Sequence, residues 1–194
     1  TVTVTLSSGQ TITIASGVTL NVLTGTATLA AIGGNIINNA GDSAISVING
    51  FGRWLIYAAD PATSTEGFSG YNKHYDQSYA SGDTPGYAAT GNWFLYSLAP
   101  VLSVTPSNDS ITYGNTPGFD PGLAGFIDGD TANSAGIGGS ATWTVAGATS
   151  SSGNPTAGSH DVVYSGGLAS NLGYRFADNP ASDQELPVYK RQVD

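Results

Sequence analysis

The side chains able to do chemistry in this chain are few. His74 and His160 are its only histidines, and no Ser-His-Asp order or nucleophile elbow can be built around either by spacing. Each reads as a side chain making an ordinary surface hydrogen bond rather than as a metal ligand. Asp128-Gly129-Asp130 matches the start of a calcium loop, but the further carboxylates and terminal Glu that complete such a loop are missing. It reads instead as a turn, with Asp130 capping a short helical turn over Thr131 to Ser134. Cysteine is absent, which excludes disulfides and thiolate chemistry. Glycoside hydrolysis or elimination needs grouped carboxylates or bases, and residues 1–48 contain one charged residue, Asp42. The expectation is a protein without catalytic residues, cofactor or metal.

Aromatic rings are the remaining resource. Tyr71, Tyr75, Tyr79 and Trp93 could stack on sugar rings while Asn72, Asp76 and Gln77 bond hydroxyls. The same rings could equally cover an apolar core, so a structural and a ligand-binding reading stand side by side.

These side chains must be carried by β-structure. The chain has 27 glycines, 9 prolines and only 10% charged residues, a composition that suits strands and loops better than helices. Net charge is −9, so a phosphate backbone would be repelled and nucleic acid is not an expected partner. The apolar runs, such as 54–59 and 93–101, are far too short for the roughly 20 residues of a membrane helix.

The opening, TVTVTLSSGQTITIASGVTLNVLTG, sets the architecture. Gly9, Gly17, Gly25, Gly33 and Gly41 recur every eight residues, with columns Val4, Ile12, Leu20 and Leu6, Ile14, Val22 in step. Alternation places the aliphatic side chains on one face and threonine on the other, and glycine supplies the corner after each strand. Repeated strand and corner predict a β-solenoid of about 24 residues per coil; hairpins of a sandwich are the competing reading. Only about two coils fit before Phe51, fewer than the ~3 repeats a solenoid needs, which predicts neighbouring coils upstream. Thr3, Thr11 and Thr19 would then point in three directions, which disfavours an ice-binding array.

Eleven aromatic residues fall between Phe51 and Tyr96 and none before Phe51. FGRWLIYAADP reads as a strand stopped at Asp60-Pro61, and NWFLYSLAPVLSVTP as a strand passing into an extended linker limited by Pro100 and Pro106. Between them, a thirty-residue segment rich in Gly and Ser is expected to cap the open end of the solenoid or to contact a ligand. Residues 107–194 predict four or five short strands separated by Gly and Pro, with ELPVYKRQVD as an exposed tail.

The string GRWLIYAADPATSTEGFSGYNKHYDQSY with GNWFLYSLAPVLSVTP resembles the C-terminal junction of filamentous-haemagglutinin-type adhesins exported by two-partner secretion. Arg53-Trp54-Leu55, Asp60-Pro61, Phe94-Leu95-Tyr96 and Ala99-Pro100 carry the likeness in order. Residues 111–114, 125–131, 143–145, 161–164 and 172–176 are similar to the MBG-type repeats of bacterial surface proteins. The resemblance implies an all-β chain: the end of a right-handed parallel β-helix over 1–58, an aromatic capping junction and linker over 59–106, and a small MBG-like β domain over 107–194. It further implies a non-catalytic segment of a large adhesin at the bacterial cell surface. Expected partners are extracellular polysaccharide, a host or neighbouring-cell surface, a second copy, and an outer-membrane transporter. A ligand-free stalk and a carbohydrate-active enzyme are the alternatives.

Overall fold

The computed structural model describes residues 2–50, 52–180 and 184–191. It is all-β, and it divides into two compact units, Thr1–Pro100 and Val101–Asp194. Phe51, the first residue of the expected aromatic strand, and residues 192–194 of the expected tail lie outside the described residues.

In the first unit, alternation and glycine act together as the sequence suggests. Strands β1 (Val2–Leu6), β2 (Ile12–Ile14), β3 (Leu20–Val22), β4 (Gly25–Ala31), β5 (Ile36–Asn38), β6 (Ile45–Val47) and β7 (Gly52–Ala58) follow one another round corners. Gly9, Gly17, Gly25, Gly33 and Gly41 all have φ between +64° and +80°, a region an L side chain occupies only with strain. Every strand then meets its equivalent one turn of the pattern later and in parallel: Val2 with Ala27, Ile12 with Ile36, Leu20 with Ile45. β1, β2 and β3 thus belong to three separate sheets, and so do their threonines. Gly34 packs where a Cβ would overlap the Gln10 carbonyl, so consecutive turns touch backbone to backbone.

The first sheet is the longest, running β1-β4-β7-β9-β8 with β8 spanning Asn72–His74 and β9 Trp93–Tyr96, all pairs parallel. Its register builds columns. Val4, Leu29, Ile56 and Phe94 line up on one face, beside Leu6, Ala31, Ala58 and Tyr96. Thr3, Thr28, Leu55 and Trp93 line up on the other, beside Thr5, Ala30, Tyr57 and Leu95. β4 and β7 are buried on both faces over five consecutive residues each. A strand covered on one side only would alternate, so the outward face must also be roofed.

The second unit pairs strands distant in sequence. β10 (Val101–Pro106) lies between β12 (Pro121–Ala124), antiparallel, and β15 (Arg175–Asp178), parallel. The segment expected as a linker is therefore a sheet strand, because the alternating Leu102, Val104 and Pro106 are buried. A second sheet has the order β11 (Ile111–Thr112), β16 (Gln184–Tyr189), β14 (Gly158–Ser170), β13 (Ile137–Val145). β13 and β14 are long, 9 and 13 residues, where short strands were expected. ELPVY is no tail: it belongs to a strand paired on both sides, with Leu186 and Val188 in a core with Ile111 and Val162. The helical turn is present over 131–136, but Thr131 caps it. Its hydroxyl accepts from the Ser134 amide at 3.2 Å while the Ser134 hydroxyl accepts from the Thr131 amide at 2.9 Å. Asp130 accepts from side-chain hydroxyls: its Oδ2 from the Tyr174 phenol at 2.9 Å and its Oδ1 from the Ser134 hydroxyl at 3.4 Å.

Candidate functional site

The aromatic segment splits at Asp76, and the two halves do different things. Before it, Thr65 extends the β2-β5 sheet in parallel beside Ile37: the Thr65 amide donates to Ile36 O at 2.7 Å and the Asn38 amide to Thr65 O at 2.8 Å. Phe68, Tyr71 and Tyr75 then close the apolar interior. Phe68 meets Trp54 at 4.8 Å between ring centroids, Tyr71 meets Phe94 at 4.9 Å, and Tyr75 stacks on Tyr96 at 6.0 Å. The Tyr71 and Tyr96 phenols both donate to the Glu66 carboxylate, one to each oxygen.

Among the described residues, Asp76 is one of two non-glycine residues with a left-handed backbone, φ 55°, a conformation that Asp tolerates better than most. Its amide donates to Leu98 O and that of Gln77 to Tyr96 O. From there the chain crosses to the outward face of the first sheet and forms the roof that the burial pattern requires. Tyr79 meets Tyr57 edge to face at 5.1 Å, and Ala88 is buried against Ala30, Leu55 and Leu95. Arg53 fastens the strap: its guanidinium donates to Ala88 O through Nη1 and to the Thr26 hydroxyl through Nε at 3.1 Å. Tyr87 donates to Gln77 Oε1 at 2.7 Å and stacks on His74 at 4.2 Å.

The roof does not cover everything. A hollow of about 280 Å³ is left between Thr3, Thr26 and Thr28 below and Tyr79, Gly82, Asp83 and Thr84 above. A second of about 230 Å³, bounded by Gly33, Tyr57, Gln77, Ser78 and Ser97, shares Tyr79 with it. A third of about 250 Å³, bounded by Gly25, Gly52, Arg53, Thr90 and Gly91, shares Thr26. The three form a row along β4. Asp83 is the one carboxylate among their lining residues. Burial first, then the charges of Asp83 and Tyr79, hold the Tyr57 phenol above its ordinary value, with Arg53 acting the other way. Neutral hydroxyls, an aromatic edge and one carboxylate equip this cleft to hydrogen-bond a polyol.

Of the four rings singled out in the sequence, one borders that cleft. Tyr79 does. Tyr75 is 0% exposed, so it has no ring face to offer a sugar and belongs to the core. Tyr71 is committed to Trp54, Phe94 and Glu66. Trp93 is half-buried under the strap, its indole N–H donating to Thr90 O at 2.7 Å. Asn72, at an exposed position, bonds Asn92 O at 3.4 Å. His160, expected at the surface, is 6% exposed, with both ring nitrogens within bonding distance of carbonyl oxygens, those of Ala146 at 2.9 Å and Thr156 at 2.7 Å. The residues that sequence reasoning passed over are Thr3, Thr26, Thr28, Asp83 and Thr84. A signal for the first three existed: one coil on from Thr3 is Thr28, on the same outward alternation, beneath whatever the aromatic segment covers.

Among the described residues, no group of three or more His, Cys, Asp or Glu side chains converges as a metal site, and no helix is long and apolar enough to cross a membrane. Comparison with known proteins yields no match of any kind: no family model, no curated protein and no solved structure aligns with this chain.

Proposed function

We propose that this chain is a non-catalytic segment of a large secreted adhesin at the bacterial cell surface, used for attachment to other cells, host surfaces or matrix. In this reading the first unit is the end of a right-handed parallel β-helix, the aromatic segment is its cap, and the second unit is an MBG-type spacer. One observation carries the proposal: strands in three separate sheets each pair in parallel with the strand one coil later, and one end of that stack is plugged by aromatic rings. At the opposite end, among the described residues, β1, β2 and β3 pair along one edge each, and Val4 is 41% exposed. Unpaired strand edges of this kind are able to accept a further strand, from another coil or a second copy. The right hand follows from the preference of parallel crossovers. Surface location and an outer-membrane transporter as export partner rest on the family resemblance.

The non-catalytic part of this reading rests on the sequence, in which residues 1–48 hold a single charged residue and no grouped carboxylates or bases. The test is attachment by beads coated with the whole chain. Retention on cells or exopolysaccharide films above that of uncoated beads is expected. Retention equal to uncoated beads overturns the attachment role in favour of the stalk, and reproducible sugar release from polysaccharide overturns the non-catalytic reading.

A further inference from the structure

We infer that the cleft under the aromatic strap is a binding site for a neutral, linear oligosaccharide, held by Thr3, Thr26, Thr28, Tyr79, Asp83 and Thr84. The inference rests on the attachment reading and names the chemical class that the attachment recognises. It begins with an anomaly of pattern. Threonine at outward positions of β1 and β4 belongs on a wet face, yet Thr28 is buried and the strap passes above it. A roof built only to exclude water would meet an apolar floor, as it does at Ala30, Leu55 and Leu95. Beneath Gly82, Asp83 and Thr84 it meets three hydroxyls and leaves a hollow of about 280 Å³.

The hydroxyls are arranged for a ligand with its own regular hydroxyls. Thr3 and Thr28 are directly opposed on neighbouring strands, hence ~4.8 Å apart along the sheet, and Thr26 lies two residues from Thr28 on the same face, ~6.6 Å along the strand. The Thr26 oxygen accepts from Arg53, which leaves its proton to donate. Opposite them, the Asp83 carboxylate only accepts when ionised, and the Thr84 hydroxyl both donates and accepts. Donors and acceptors on both walls suit a polyol, which offers an O–H and two lone pairs at each position. Tyr79 stands between this hollow and the next, and an aromatic ring at that point gives the apolar face of a sugar a surface to rest on.

Two features select within the class. The row of three hollows, joined at Tyr79 and Thr26, is elongated, which favours a chain over a single sugar. The charge is unfavourable to uronic acid or sulfated polymers: the chain carries −9 overall and the cleft contributes a carboxylate, while Arg53 already serves Thr26 and Ala88 O. A neutral chain meets no such repulsion.

The experiment is titration calorimetry on the whole chain with hexasaccharides of neutral glucan, mannan and galactan, and of hyaluronan and alginate as anionic probes. At least one neutral hexasaccharide is expected to bind and the anionic ones to bind more weakly. D83N should weaken binding about tenfold, the loss of one charge-assisted hydrogen bond, with T84V behaving similarly. Y79A should abolish binding, but it also uncovers Tyr57, so D83N and T84V, both at exposed positions, carry the test, with unchanged melting temperature as the check on folding. D161N, in the second unit, should bind as the parent does. The site is overturned if no neutral hexasaccharide binds, if an anionic one binds best, or if D83N and T84V match the parent. Coated beads that still adhere to cells in that event would leave the attachment reading standing without this site.

Discussion

The two units are built on opposite rules for closing the chain. In the first, each corner is a backbone event: glycine at φ between +64° and +80° turns the strand, and the next strand pairs about 25 residues later. In the second, strands wait for partners far along the chain, Val101 for Arg175 and Ile111 for Val188, and the turn over 131–136 is fixed by side-chain hydroxyls. A periodic chain pays for order locally and can be extended by repetition. A chain with distant pairing makes one closed object. That difference suits a filament end followed by a discrete domain, and it gives each unit its own weak points.

The largest separation between the units should come from the plug. Phe94 is buried among Trp54, Phe68, Tyr71 and Tyr96, so F94A should cost the first unit about 4 kcal/mol. The second unit, whose core is Ile111, Val162, Leu186 and Val188, should be unaffected. Chemical denaturation followed through Trp54 and Trp93 in a W143F background reads the first unit alone. A matching loss in the second unit would show that the two fold as one.

The rule of glycine corners is tested next. At Gly34 a Cβ would overlap the Gln10 carbonyl, so G34A should cost about 3 kcal/mol through overpacking. At Gly17 a Cβ meets nothing within 4 Å, and only the φ of +78° penalises it. G17A should therefore cost about 1 to 2 kcal/mol. Equal losses at the two positions would mean that close stacking of consecutive turns contributes nothing beyond corner geometry.

The corner glycines Gly9, Gly17, Gly25, Gly33 and Gly41 were legible in the sequence because their spacing is a local code; the close packing at Gly34 was not. The end of the first aromatic strand was legible too, for it stops at Ala58 just before Asp60-Pro61. What was not legible is the divergence of Tyr75 from Tyr79. Both sit in one Gly-rich and Ser-rich segment with the same flanking chemistry, and only the left-handed turn at Asp76 sends one inward to Tyr96 and the other outward to Tyr57. The roles of Pro100 to Pro106 and of ELPVY were misread for a related reason: whether an extended segment is a linker, a tail or a sheet strand depends on partners some seventy residues away, which periodicity does not encode.

Alkali should also divide the units, by a smaller amount. Burial pushes the Tyr87 phenol up to about 12 and raises that of Tyr57. Both phenols thus hold their protons more tightly folded than unfolded, where tyrosine ionises near 10. Their contribution is intact below pH 10 and is lost as pH rises from about 10 to 12. Tyr87 is 43% exposed, so solvent screening reduces the effect. In the second unit the Ser150 and Ser152 hydroxyls lower the phenol of the half-buried Tyr113, the opposite sign. Circular dichroism against pH should show the first unit failing earlier, and a reversed order would contradict the buried placement of Tyr57.

The smallest effect concerns the turn over 131–136, where side-chain hydroxyls act beside Gly136 at φ 57°. Thr131 and Ser134 form a reciprocal cap, each hydroxyl taking the other's amide, in the manner of a capping box with serine in place of the usual Glu or Gln. T131A removes one of these bonds and disturbs the other, and should cost the second unit about 1 kcal/mol. Asp130 next to it accepts from the buried Tyr174 phenol at 2.9 Å and, at 3.4 Å, from the Ser134 hydroxyl, and the amide oxygen of D130N can still accept the shorter bond. D130N should therefore cost less than T131A, measured by denaturation followed at Trp143. If D130N proves the more damaging, Asp130 holds the turn after all, and the second unit relies on a charge where it is argued to rely on a hydroxyl pair.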